Sequence, residues 1–175
     1  MIKDLLTLSQ LEMGEKPLEH RPIDVGDLLR SIAKDAQQLK QYQQHTIKLE
    51  LESDKLLLAD SDELRSAVSN LVFNAVKYTP ADSTVTIRWA VSDTNGCIEV
   101  SDNGQGIAEH HLDRLTERFY RVDSGRSQEA GGTGLGLAIV KHILQRHGAE
   151  LRITSEVGEG SQFRCCFPLK HVLDN

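Results

Sequence analysis

Asn70, Asn74 and Lys77 stand roughly one helical turn apart in residues 62–78, DELRSAVSNLVFNAVKY, and are the side chains best placed to do chemistry. Asparagine is a poor helix former because its amide competes for backbone hydrogen bonds. Two of them followed by an ammonium suit a ligand that offers both acceptors and charge, such as a phosphate chain carrying Mg²⁺. That ion takes hard oxygen ligands, keeps several waters, and needs few protein groups when phosphates supply the charge. A solvated helix flank would look the same, and this stretch alone does not decide between the two.

Asp102 is a second candidate, in Asp102-Asn103-Gly104-Gln105-Gly106, where a strand ends and turns at once. An ordinary Asp-Asn-Gly turn would explain the run. A carboxylate buried at a strand end could instead accept from an exocyclic amine. Adenine offers that donor and guanine an acceptor at the same place, so a mismatch would leave a buried charge unpaired. Gly104 and Gly106 would let the backbone approach a flat base. The third candidate is GGTGLGL, from Gly131 to Leu137. It is not a P-loop, since no GxxxxGK[ST] exists, and not a Rossmann fingerprint, since a polar stretch precedes it and its spacing is G-x-G-x-G. Glycines opening a helix expose N–H groups at the positive end of its dipole. That effect, worth about 0.3–2 kcal/mol, assists phosphate binding without carrying it. Arg118 and Arg121, in ERFYR at residues 117–121, add positive charge, and Phe119 and Tyr120 could pin that segment to the body. Taken singly, each arginine reads as solvated surface.

These groups need elements to hold them. Leu64, Ala67, Val68, Leu71, Val72, Ala75 and Val76 recur at i, i+3, i+4, i+7, i+8, i+11 and i+12, which makes residues 62–78 an amphipathic helix. At about 100° per residue, Glu63, Asn70, Asn74 and Lys77 form a stripe about a third of a turn from that apolar face. Asp60, Ser61 and Asp62 are its N-cap candidates. Upstream, residues 2–13 read as a helix ended by Gly14 and Pro17, and residues 18–25 as an edge strand because of Pro22. Asp24 or Asp27 then caps a helix to about residue 42, and residues 46–51 and 56–59 are strands. Residues 84–91 and 97–102 alternate on either side of Asn95-Gly96, a hairpin signal. A long polar stretch over residues 108–132 holds one helix-like patch, 110–119, and reads as a lid. The glycine run opens a helix through His147, and strands 150–156 and 162–168 close the chain. This order predicts an α+β two-layer sandwich, a mixed, mainly antiparallel sheet with helices on one face.

With 175 residues the chain suits one core, and its net charge of −6 argues against a nucleic-acid surface without excluding a nucleotide. Cys97, Cys165 and Cys166 show no CxxC pairing and read as small buried residues in a reducing compartment. The histidines form no HExxH or Cys/His cluster, so no dedicated zinc site is expected.

In order, NLVFNAVKY, DNGQGI, ERFYR, GGTGLGL and GEGSQF resemble the N, G1, F, G2 and G3 boxes of the catalytic, ATP-binding domain of sensor histidine kinases. The likeness runs from Leu18 to Pro168 and implies the Bergerat sandwich shared with Hsp90, gyrase and MutL ATPases. It implies ATP and Mg²⁺ as cofactors. Asn74, Lys77 and Arg121 would be the catalytic residues, with Asn74 ligating the metal, Asn70 supporting it, and Lys77 and Arg121 holding phosphates. Asp102 would bind the adenine amine, and Tyr78 would line the nucleotide pocket. Gly104, Gly106, Ile107, Tyr120, Gly132, Thr133, Gly134, Leu135, Gly136 and Leu137 would complete that pocket, under a lid at residues 108–131. The family's phosphoacceptor is a histidine followed by Glu or Asp, whereas His20, His45, His110, His111, His142, His147 and His171 precede Arg, Thr, His, Leu, Ile, Gly and Val. Residues 1–16 look like the tail of a dimerisation helix and its linker, and residues 17–175 like the catalytic domain. The resemblance therefore implies a phosphoacceptor upstream, a response regulator receiver domain as a further partner, and a parent that is a membrane-anchored homodimer of the bacterial inner membrane with this domain cytoplasmic. A Bergerat ATPase of the Hsp90 or MutL type is the alternative.

Overall fold

Apolar side chains at alternating strand positions and helical spacing sort into two layers in the computed structural model, which describes residues 2–14, 16–39, 44–122 and 132–175. The chain runs α1 (Ile2–Met13), β1 (Arg21–Asp24), α2 (Val25–Gln38), β2 (Thr46–Leu51), β3 (Leu56–Ala59), α3 (Ser61–Tyr78), β4 (Thr84–Val91) and β5 (Asn95–Asp102). It continues through α4 (Glu109–Leu112), α5 (Gly136–Arg146), β6 (Glu150–Glu156), β7 (Gly160–Pro168), a 3-10 turn at Leu169–His171, and β8 (Val172–Leu173). The main sheet has the order β2-β4-β5-β7-β6, with β2 parallel to β4 and the other pairs antiparallel. A second sheet, β1-β3-β8, sits apart from it, with β1 at an edge as Pro22 requires. The α+β architecture is as expected. The second sheet is a finding, because β8 is too short to carry a period.

Ile87, Trp89, Ile98, Val100, Cys165 and Phe167 point from the main sheet into a core shared with α2, α3 and α5. All seven residues of the α3 apolar stripe are buried there. Asp24 caps α2 through the Asp27 N–H at 2.9 Å, and that helix ends at Gln38 because Leu39 is already extended. The rest of its expected span, residues 40–42, lies outside the described residues. The helix-like patch at 110–119 shortens to α4 followed by turns.

Two expectations need correction. The β4–β5 hairpin exists, but Asn95 and Gly96 belong to β5 and the reversal lies at Ser92–Thr94, where Ser92 N–H meets the Asn95 carbonyl at 2.8 Å. Gly96 serves a packing need instead, since a Cβ there would come within 2.7 Å of the Trp89 ring. Cys97 and Cys166 are not free thiols: they face each other across β5 and β7 and form a disulfide, leaving Cys165 free in the core.

Candidate functional site

The C-terminal half of α3 gathers the polar groups. Asn70 donates Nδ2 to the Ser66 carbonyl at 2.9 Å, which turns its Oδ1 away from its own helix. That oxygen comes within 2.9 Å of where a Cβ on Gly136 would stand, and Asn74 Nδ2 within 3.8 Å of the same point. Both amides thus border the first residue of α5, whose N-terminus carries no side-chain cap. Next along the helix, a Cβ on Gly132 would sit 2.9 Å from Lys77 Nζ and would collide with the Tyr78 hydroxyl. The Lys77 ammonium lies 5.2 Å from the Tyr78 ring centroid. Burial, and then the charge of Arg121, hold Lys77 below the usual lysine value. Two cations close to a helix N-terminus are a candidate anion site.

Asp102 closes β5. Its carboxylate accepts from the Gly104 N–H at 2.9 Å and from the Ser161 backbone N–H. Burial raises its carboxyl above the ordinary value, and those two donors offset this only in part. Gly104 is buried against Thr79, whose methyl would stand 2.7 Å from an added Cβ. Thr79 caps the end of α3, donates to the Ala75 carbonyl at 2.7 Å and meets His45 Nε2 at 3.0 Å. The turn after Asp102 is held by Gly106, at φ +71° against the Glu156 carbonyl, and by the Ile107 N–H on Ser155 Oγ at 2.8 Å.

The remaining expected residues divide. Gly134, at φ +70°, accepts the Phe119 N–H at 2.9 Å and so ties the glycine run to ERFYR. Tyr120 anchors that segment, packing on the core, bonding His111 and lying 4.2 Å under the Arg114 guanidinium, whereas Phe119 is exposed. Arg118 turns away to pair with Glu12 of α1, while Arg121 stays by Lys77. The Thr133 hydroxyl donates to Asp4 of α1 at 3.1 Å. Leu135 is fully buried and Leu137 packs against the core, so both offer the cleft backbone rather than side chain. Gly131 and residues 123–130 of the expected lid lie outside the described residues. Sequence reasoning missed Thr79, His45, Ser155, Ser161 and Asp4, which reach the site through long-range contacts; the Ser161 position within GEGSQF was the one local signal.

Among the described residues no cluster of His, Cys, Asp and Glu could hold a metal. A hard cation here would rest on amide oxygen and on its ligand's own phosphates, which the outward Asn70 Oδ1 and the adjacent Asn74 fit. Two grooves, of about 410 and 1030 Å³, lie on the outer face of the main sheet and near the C-terminus, away from these residues. Convergent polar side chains single out the end of α3.

A family model described as "Histidine kinase-, DNA gyrase B-, and HSP90-like ATPase" matches residues 59–171. The chain belongs to that family. The phosphate regulon sensor protein PhoR of Pseudomonas aeruginosa is 50% identical over 174 residues, covering 99% of this chain and 39% of that protein. The sensor-like histidine kinase SenX3 of Mycolicibacterium smegmatis is 36% identical over 168 residues, covering 96% of this chain and 44% of that protein. This chain therefore spans less than half of either relative. The wording of SNLVFNAVKYTP, LTERFYRVD and GLGLAIVKH resembles that of phosphate-regulon sensor kinases. Among solved structures, full-length ShkA in complex with AMPPNP superposes with a TM-score of 0.84 at 28% identity, covering 99% of this chain and 35% of that one. The histidine kinase branch of the family is thus favoured over the Hsp90 and MutL branch.

Proposed function

We propose that this chain is the ATP-binding catalytic domain of a two-component sensor histidine kinase. It donates the γ-phosphate of ATP to a histidine on a dimerisation domain, for relay to the receiver domain of a response regulator. The observation that carries this reading is the pairing of Lys77 and Arg121 beside the start of α5, which has no side-chain cap, with the half-buried Asp102 at the end of β5. Lys77 and Arg121 would hold the phosphates, and the N–H groups of Gly136 and its neighbours would add the helix dipole. Asp102 would accept from the adenine amine, with Thr79 and Gly104 closing the wall behind it. Asn74, with Asn70 behind it, would hold Mg²⁺, which when bound there neutralises triphosphate charge. Tyr78, Gly106, Ile107, Tyr120 and Gly132–Leu137 frame the nucleotide.

Helix α1 would be the tail of the dimerisation domain. Leu8 packs into the catalytic domain, while Ile2, Leu5, Leu6 and Met13 are exposed and await the rest of that domain. The parent protein would be a membrane-anchored homodimer with this part cytoplasmic; among the described residues no helix is long and apolar enough to cross a membrane. Mixing this chain with a separately prepared dimerisation domain and γ-labelled ATP tests the reading. Acid-labile label on the added domain is the expected result, and label on this chain alone overturns it.

A further inference from the structure

The outer face of the main sheet carries a feature the nucleotide reading leaves unused. Register sets Glu50, Arg88, Glu99, Arg164 and Arg152 in one row across the five strands. The next row is Ala90, Cys97, Cys166 and Glu150, and the disulfide joins its two middle members. Cys97 lines the groove of about 410 Å³ together with Arg88, Arg152, Arg164, Glu52 and Glu99, whereas Cys166 is buried behind it. Cys165, one residue away, points through the sheet into the core, where burial pushes its thiol up to about 12. It is neither a thiolate nor on the groove side, so it stays out of exchange.

We propose that Cys97–Cys166 is a reversible thiol–disulfide exchange site, opened from this groove by a zwitterionic low-molecular-weight peptide thiol. Disulfides in a reducing compartment are transient or redox-sensing rather than structural, so the inference rests on the cytoplasmic placement proposed above. Alternating guanidinium and carboxylate groups match a thiol that itself carries carboxylates and an ammonium. Its thiolate attacks Cys97 Sγ, the S–S bond breaks, and Cys166 leaves as a thiolate that takes a proton from water. A second molecule's thiolate then attacks the mixed disulfide, frees Cys97, which is protonated in turn, and departs as the small-molecule disulfide. Two electrons pass from the thiol pair to the protein, and the oxidised small molecule reverses the sequence. The same two strands carry Asp102 and Ser161 as register partners at their other end, so the bond fastens the strands that build the base end of the cleft.

The test is to equilibrate the full chain with oxidised or reduced glutathione under native conditions, alkylate in denaturant, and count maleimides by mass. One label after oxidation, three after reduction and one again after re-oxidation is expected, with Cys97→Ser holding two throughout. Because the bond closes a 69-residue separation, the reduced form should melt about 5–10 °C lower. Arg164→Ala should slow reduction by glutathione roughly threefold and leave reduction by a neutral thiol unchanged. Three labels after oxidation, or one label that survives native reduction, overturns the exchange site; equal slowing with both thiols overturns the groove as its recognition element. Nucleotide affinity measured on the same samples reports separately on the kinase reading.

Discussion

At the start of α3 buried polar groups pair within the fold, whereas at its end half-buried amides and an ammonium gather side by side. Asp60 caps the helix, accepting from the N–H groups of Asp62, Glu63 and Glu19 at 3.1 Å each. Its own N–H goes to His147 Nε2 at 3.0 Å, and Glu63 pairs with Arg146 at 3.1 Å. At the other end Asn74 makes no side-chain hydrogen bond among the described residues, and Lys77 has Arg121 for a neighbour. Two carboxylates record the contrast. Burial alone would raise Asp60, but the N–H groups of Glu63, Glu19 and Asp62 and the charge of Lys16 outweigh it and hold the carboxyl below its ordinary value. Burial raises Asp102 too, and two donors do not bring it back. A polar group that the fold completes is scaffold; one left incomplete in a cleft is poised for a ligand.

Substitutions at the two ends should therefore move different observables. Asn74→Ala should cost on the order of 100-fold or more in Mg²⁺-dependent nucleotide affinity by calorimetry, since even groups behind a metal ligand are worth 10–100-fold. Its urea midpoint should stay put, and an unchanged affinity would remove Asn74 from the site. Glu63→Ala should do the reverse. Stranding the largely buried Arg146 should cost about 2–3 kcal/mol of stability, somewhat under the full range because the pair keeps some solvent contact. Affinity of the folded fraction should not change. Asp102→Asn should weaken ATP by about 1.5–3 kcal/mol, the range for a hydrogen bond to a charged group, and should weaken GTP far less. A loss below threefold would end the adenine contact.

How much of this contrast could be read from sequence depends on the reach of each contact. The apolar stripe of α3, the position of Asp102 at a strand end and the glycines before α5 are local patterns, and the structure places them as expected. The completed partners at the start of α3 are not local: His147 meets Asp60 across 87 residues, and Arg146 meets Glu63 across 83. Ser161 reaches Asp102 only through the β5–β7 register, and that register also brings Cys97 opposite Cys166. The Asn95-Gly96 dipeptide misled because the indole of Trp89, not a turn, is what excludes a side chain at Gly96. Thr133 on Asp4 could not be foreseen, since nothing in residues 2–13 says which of its faces packs on α5.

The smallest expected effect is on pH, and it separates the two ends most directly. His147 is locked neutral, with Nδ1 donating to the Ile143 carbonyl at 2.7 Å and Nε2 accepting from the Asp60 N–H. Burial lowers its value below 6.5, with His20 adding to this, against the raising influence of the Ile143 carbonyl, Glu63 and Asp60. For a base whose folded value is depressed, stability is complete above the unfolded value. It is lost as pH falls below 6.5, because the unfolded chain takes the proton first, at no more than about 1.4 kcal/mol per pH unit. His142 and His171 are lowered as well, so the total slope alone does not identify the source. His147→Gln keeps an acceptor for Asp60 and cannot titrate, so its unfolding free energy should fall less than that of the native chain between about pH 7.5 and 5.5. Nucleotide affinity should fall as pH approaches the raised carboxyl value of Asp102, where the protonated acid loses the adenine amine. Parallel slopes for the variant and the native chain would move the acid sensitivity away from the start of α3.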